Sequence, residues 1–247
     1  MQTSGNTVLI TGGNSGIGRG LAEAFLARGN DVIITGRDRS KMEATVAANP
    51  GLKALELDVD DPKAIAAFGQ KVVRDFPTLN VLVNNAGIMR TENLADGSTG
   101  IAEATIMTNL LGPIRLTAAL LPHLQAQASA AVLNVSSGLA FVPRSEFPSY
   151  CATKAAIHSW SQTLRRQMRD TSVEVIEIAP PYVQTMLTGE AQASDPNAMP
   201  LDEYITETMS ALEAQPQSGE ILVKSVFFQR WAEREGRYDE AFARLNA

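Results

Sequence analysis

Short runs of β-branched and apolar residues recur along the chain: TVLI (7–10), DVIIT (31–35), LKALEL (52–57), VLVNN (81–85), AVLNV (131–135), VEVIEI (173–178) and EILV (220–223). Longer stretches of helical pattern separate them. Most runs are nearly continuous in apolar character, which predicts parallel strands covered by helices on both faces. Strand and helix alternate from end to end, so 1–247 is expected to form one Rossmann-type α/β domain, a doubly wound parallel sheet of seven strands.

Some helix details are legible. Asp61 followed by Pro62 reads as an N-cap with proline at the first helical position. Ile157, Trp160, Leu164 and Met168 form one apolar stripe, a core or interface face. The one long polar, irregular stretch, TGEAQASDPNAMP (188–200), predicts a substrate lid over 186–204. The final segment, 226–245, reads as a single amphipathic helix.

Composition narrows the classes. Of 247 residues, 45% are hydrophobic and 19% charged, enough to bury a large core. A net charge of -6, with no basic run, argues against nucleic acid. The N-terminus lacks a signal-peptide pattern, and no apolar run approaches the length of a bilayer span, so a cytoplasmic protein without a membrane partner is expected. One cysteine, Cys151, cannot form an internal disulfide. His123 and His158 lie in apolar helical segments with no ligand-like spacing to a partner, and no metal is assigned.

The first strand runs into TGGNSGIGRG, which places Gly12, Gly16 and Gly18 in the pattern TGxxxGxG. Such a turn lets backbone approach a diphosphate, and the following helix offers free N–H groups and its positive dipole end. In SYCATKAA (149–156), Tyr150 and Lys154 stand four apart, on one helix face. A free tyrosine has a pKa of about 10 and is a poor base at neutral pH unless positive charge stabilises its phenolate. Within MTNLLGPIRL, Pro113 has no N–H for the carbonyl of Asn109; either that acceptor is kept available or the helix is simply kinked.

Together with NNAG (84–87), Asn109, Ser136–Ser137, YCATK (150–154) and PPYVQT (180–185), this pattern resembles the short-chain dehydrogenase/reductase family over almost the whole chain. The APP and SYCATKAA segments and the altered C-terminus resemble its DltE-like subgroup. The resemblance implies a catalytic group of Asn109, Ser137, Tyr150 and Lys154. Ser137 is selected over Ser136 because it stands 13 positions before Tyr150. Family enzymes use the main chain at Asn109 to hold a water linking the lysine to solvent. Tyr150 would be the general acid/base in hydride transfer between a nicotinamide and a carbonyl or alcohol, with Lys154 and the oxidised nicotinamide supplying positive charge.

The same resemblance implies a cofactor site built from Gly12, Asn14, Ser15, Gly16, Ile17 and Gly18 around the diphosphate. Asp58 and Val59 would lie at the adenine, the segment Asn85, Ala86 and Gly87 in the middle, and Tyr150, Lys154, Pro180, Val183 and Thr185 at the nicotinamide end. Gly36 occupies the place where an acidic residue would favour NAD(H), and Arg37 follows it, so NADP(H) is the expected cofactor with NAD(H) as the alternative. Arg39 is a weaker phosphate candidate, and Asp38 could bind ribose or start the next helix. Pro181 replaces the usual glycine before Thr185 and removes an N–H donor.

The functional expectation is an NADP(H)-dependent oxidoreductase acting on a small or medium carbonyl or alcohol. It would assemble as a homodimer through the helices of Asn109 and Tyr150, where Ala152, Ala155, Ala156 and Ser159 permit close approach. The rival class is a nucleotide-binding accessory or regulatory protein with little turnover. The longer nucleotide-sugar epimerase branch would need a larger C-terminal domain than follows Thr185.

Overall fold

Why the apolar runs become parallel strands is visible in the computed structural model, which describes residues 1–214 and 219–247. The first half alternates β1 (Thr7–Thr11), α1 (Gly16–Ala27), β2 (Asp31–Gly36), α2 (Arg39–Ala48), β3 (Lys53–Glu56), α3 (Pro62–Asp75) and β4 (Leu79–Asn84). The second carries α4 (Gly100–Ile106), α5 (Gly112–Gln125), β5 (Ala130–Val135), α6 (Pro148–Met168), β6 (Val173–Ile178), α7 (Glu190–Ala193), α8 (Leu201–Glu213), β7 (Glu220–Ile221), α9 (Phe227–Arg230) and α10 (Tyr238–Leu245). The seven strands pair in the order β3-β2-β1-β4-β5-β6-β7, all parallel.

Residues of β1 alternate between two cores. Val8 and Ile10 pack with Leu21, Phe25, Tyr204 and Met209 on the face of α1 and α8. Leu9 packs with Leu116, Leu120 and Leu164 on the face of α5 and α6. The central strands are therefore apolar on both faces, as their sequences require. Strand order reverses between β1 and β4, and the loops leaving these two strands open a crevice at the carboxyl edge of the sheet.

Several expectations change. The last strand ends at Ile221 rather than 223, and β3 covers 53–56. The expected single helix over 226–245 is two short helices, α9 and α10, because Gly236 takes a left-handed φ of 68° and turns the chain. The N–H of Arg237 donates to Ala232 O across that turn (2.8 Å). Ala232 and Ala241 then bury against Val142, so the C-terminal segment covers the stretch after Ser137. The 188–200 stretch is not structureless either. It contains α7, buries Gln192, Ala198 and Met199, and bridges Val183 to Met199.

The expectation that no segment matches a bilayer span is also corrected. Gly100–Gln125 runs on as one helix long and apolar enough by composition. Its buried side includes Thr105, Thr108, Asn109 and Thr117, and it packs on β4, β5, α3 and α6, as a core helix does. Asp61 caps α3 as expected, accepting from Lys63 N–H (2.8 Å).

A buried polar chain ties the sheet to its helices. Asn84 Nδ2 donates to Thr117 Oγ1 of α5 (3.0 Å) and to Asn134 Oδ1 of β5 (2.8 Å), and Asn134 Nδ2 donates to Ser161 Oγ of α6 (3.0 Å). Asn134→Ala removes the middle link, opens a buried cavity and takes one hydrogen bond from each of Asn84 and Ser161, which keep their bonds to Thr117 and Ile157. A loss of about 2–4 kcal/mol is expected in urea denaturation; a loss below about 0.5 kcal/mol would show that the chain contributes nothing.

Candidate active site at the carboxyl edge of the sheet

The turn after β1 is held by the segment after β4. Thr11 Oγ1 accepts from the N–H groups of both Asn85 and Ala86 (3.0 Å each), while Asn85 Nδ2 donates to Thr11 O (2.8 Å) and Gly12 O (3.3 Å). Gly18 approaches so closely that a Cβ there would stand 2.4 Å from Gly12 O. Ser15 occupies the N-cap of α1 in extended conformation without a side-chain cap bond, and the first turn carries no acidic residue. The free N–H groups of a twelve-residue helix thus face a bare glycine turn, a cradle that fits a diphosphate. A Cβ on Gly16 would lie 3.5 Å from Thr185, so this turn meets the loop after β6.

Tyr150, Lys154 and Ser137 come together at the other end of the crevice. Ser137 follows β5 and caps a short turn by accepting from Leu139 N–H (3.1 Å). Tyr150 is buried beside Met89, Leu139 and Phe147, and the Lys154 Nζ lies 5.5 Å from its ring centroid. Lys154 donates to Val135 O (2.7 Å). Burial pushes the Tyr150 phenol up to about 12 against a smaller opposing hydrogen bond from Ser137, and it pulls Lys154 down to about 8. Desolvation is the largest influence on this phenol, and Tyr150 is neutral near pH 7.

Asn109 sits in a π turn, Met107–Leu111, between α4 and α5. Pro113 follows directly, and the widened ladder, with Gly112 N–H donating to Met107 O, absorbs its missing donor. The Asn109 side chain is committed to structure: Oδ1 accepts from Ile88 N–H (2.8 Å) and Nδ2 donates to Ile88 O (2.9 Å). Asn84, Asn109, Pro113, Asn134 and Lys154 line one narrow interior gap, and Asn84 Oδ1 has no hydrogen-bond partner among the described residues.

At the adenine end, Arg37 is half exposed and donates to Asp60 Oδ2 (3.1 Å), with Asp58 Oδ1 at 3.9 Å. Asp38 caps α2 by accepting from Lys41 N–H (3.0 Å), the contact of a helix start; that bond also lowers its pKa. Arg39 pairs with Glu43 on the surface. Asp58 Oδ1 accepts from Asp60 N–H, and Val59 is buried against Gly112. Pro180 O accepts from Gly138 N–H (2.8 Å). Gln192 of α7, which no sequence motif marks, donates to Val183 O (2.9 Å) and Thr185 Oγ1 (3.1 Å) and so fixes the loop after Pro181.

Residues 6–196 match the short chain dehydrogenase family. The chain is a short-chain dehydrogenase/reductase. Over its whole length it is 41% identical to 98% of the uncharacterised oxidoreductase DltE of Bacillus subtilis (strain 168), and it is similar over 77% of its length, at 30% identity, to 83% of an uncharacterised oxidoreductase of Staphylococcus saprophyticus. Among solved structures, a short-chain dehydrogenase of Streptomyces avermitilis superposes with a TM-score of 0.84 at 26% identity, covering 95% of this chain and 94% of that one. A short-chain dehydrogenase of Sphingobium yanoikuyae in complex with NADPH superposes with a TM-score of 0.82 at 26% identity, covering 96% and 95%. The protein is an NAD(P)-dependent oxidoreductase of the DltE-like kind.

This short-chain dehydrogenase also contains a cluster that sequence spacing hides. His158 Nδ1 pairs with Glu177 Oε2 (2.7 Å), and Ser136 Oγ donates to Glu177 Oε1 (2.5 Å). Glu220 lies within the same group, whose ligand atoms fall within 4.8 Å of one another, and Arg230 grips both its oxygens (2.7 and 3.0 Å). His158, whose sequence spacing shows no ligand-like partner, is a helix residue with both ring nitrogens engaged by side chains. Arg230 thus engages Glu220, while Ser136 and His158 engage Glu177.

The depressed pKa of Lys154 has a stability consequence. Because the folded value of about 8 lies below the ordinary 10.5, the cost of burying the charge is fully present near pH 7 and is relieved as pH rises from 8 towards 10.5. Lys154→Met should gain on the wild type near pH 7 and lose about 2–3 kcal/mol of that relative advantage by about pH 10. Urea denaturation at the two pH values checks this, and equal differences would contradict it.

Proposed function

We propose that this protein interconverts a carbonyl and an alcohol with NADP(H), using Tyr150 as general acid/base. The observation that carries the reading is a buried, neutral Tyr150 phenol with Lys154 over its ring and Ser137 beside it. The nicotinamide, when bound, supplies or accepts the hydride. In reduction Tyr150 donates its phenolic proton to the developing alkoxide oxygen, to which Ser137 also offers its hydroxyl. Lys154 then faces the phenolate and stabilises it. In oxidation Tyr150 must first lose its proton, which its raised pKa opposes until further positive charge arrives.

Thr11, Asn85 and the N-terminus of α1 would hold the diphosphate, and Thr185, fixed by Gln192, the carboxamide. Met89, Leu139 and Phe147 at Tyr150, with the exposed Tyr182, Met186 and Leu187 on the neighbouring loop, suit a small or medium carbonyl with apolar substituents. The segment 186–204 would act as its lid. The small exposed residues Ala152, Ala155 and Ser159 of α6 support a homodimer through this helix, and the single reduced thiol, Cys151, suits a cytoplasmic protein.

Cofactor choice rests on Arg37. NADPH in the Sphingobium relative supports a 2'-phosphate contact, whereas the hold of Asp60 on Arg37 favours NAD(H) as the second reading, and the Brucella melitensis 3-ketoacyl-(acyl-carrier-protein) reductase, 26% identical, is complexed with NADH.

Tyr150→Phe should retain cofactor binding, followed by nicotinamide fluorescence, and lose at least about 100-fold in turnover over a panel of aldehydes, ketones and diketones. Comparable rates would remove Tyr150 from the chemistry, and a wild type that binds cofactor but turns over nothing would favour the accessory role. Arg37→Ala should lower kcat/KM for NADPH by about 10–100-fold, the worth of a charge-assisted contact, with little change for NADH. Equal losses for both cofactors would contradict the phosphate contact.

A further inference from the structure

Tyr150, Lys154 and His158 follow one another at four-residue intervals along α6, so one helix face carries the proton donor, the cation and an imidazole. At the end of β5 three consecutive residues meet that face. Val135 O accepts from Lys154, Ser136 donates to Glu177, and Ser137 interacts with Tyr150. Glu177 is fully buried on β6, with one carboxylate oxygen on Ser136 and the other on His158. An ionised carboxylate at zero exposure needs both hydrogen bonds and positive charge nearby.

The side chains lining the gap beside Lys154, namely Asn84, Asn109, Pro113 and Asn134, are uncharged. On the far side of Glu177, Glu220 of β7 is matched by Arg230 of α9. Gln162 holds the other ring nitrogen of His158 (3.1 Å), and Phe141 packs edge-on against that ring. We propose that Glu177, anchored by Ser136 and His158, is a positioning residue whose buried charge keeps Lys154 an ammonium. The inference rests on the reading of Lys154 as the cation that serves Tyr150.

Two further facts agree with it. The field of Glu177 raises the Lys154 pKa against its burial. The hydrogen bonds of Ser136 and His158 also fix both oxygens of the carboxylate. The C-terminal segment then has an electrostatic task, since Arg230 pairs with Glu220 and also feels the field of Glu177.

The test reads Lys154 directly. The chain has six lysines, so in protein labelled with 13Cε-lysine the Lys154 signal is assigned by its loss in Lys154→Arg. In the wild type it should titrate near 8. In Glu177→Gln, which keeps the shape, accepts from Ser136 through its amide oxygen and meets His158 Nδ1 through its NH2 with the ring in the other tautomer, the charge is removed and the midpoint should fall by about one pH unit. The surface substitution Glu174→Gln on the same strand should leave it in place. The alkaline limb of carbonyl reduction with NADPH should move with the NMR midpoint.

A folded Glu177→Gln protein with an unchanged Lys154 midpoint overturns the proposal. If Glu177→Gln does not fold, Glu177→Asp, which withdraws the charge by one methylene, should give a smaller shift in the same direction, and no shift overturns the proposal. A shifted midpoint in a protein that turns over no carbonyl supports this inference while contradicting the proposed function.

Discussion

A phenol and an ammonium held together in the protein interior set the terms for the carboxyl edge of this sheet. Neither Tyr150 nor Lys154 reaches enough water to be solvated, so burial raises the first to about 12 and lowers the second to about 8. Both groups are stabilised in their less charged forms, which is the opposite of what a base and its cation need. The surrounding structure works against that tendency through the Val135 carbonyl, the Ser137 hydroxyl and the Glu177 carboxylate. The free protein therefore holds Tyr150 as a neutral phenol near pH 7.

The fold supplies the rigid frame this requires. Reversal of strand order at β1 and β4 opens the crevice, and the Thr11 and Asn85 bonds lock the two loops that leave those strands. The chain Thr117–Asn84–Asn134–Ser161 fixes α5 and α6 against the central strands, and with them Asn109 and Lys154. The C-terminal segment closes over the stretch following Ser137 through Val142, Ala232 and Ala241. Each of these contacts holds backbone at the site.

Much of this is readable from the sequence because it is local. Continuous apolar runs give parallel strands, and a four-residue interval brings Tyr150 to Lys154 on one helix. What escapes is created by the fold. Glu177 reaches His158 only because β6 lies against α6, and Glu220 meets Arg230 only when the C-terminal segment folds back. Arg37 reads as an unengaged phosphate ligand until the loop after β3 brings Asp60 to it. The 226–245 pattern keeps helical periodicity on both sides of Gly236, so periodicity alone does not reveal the turn. Burial of Tyr150, which raises its pKa, is likewise a property of packing.

The most direct measurement is a 13Cζ-tyrosine titration of the protein, with the Tyr150 signal among the four tyrosines identified by its loss in Tyr150→Phe. The free protein should keep Tyr150 protonated until about pH 12, and saturation with NADP+ should lower that midpoint as positive charge enters the site. A Tyr150 that titrates near the ordinary value of about 10 in the free protein, unmoved by the oxidised cofactor, would contradict the account.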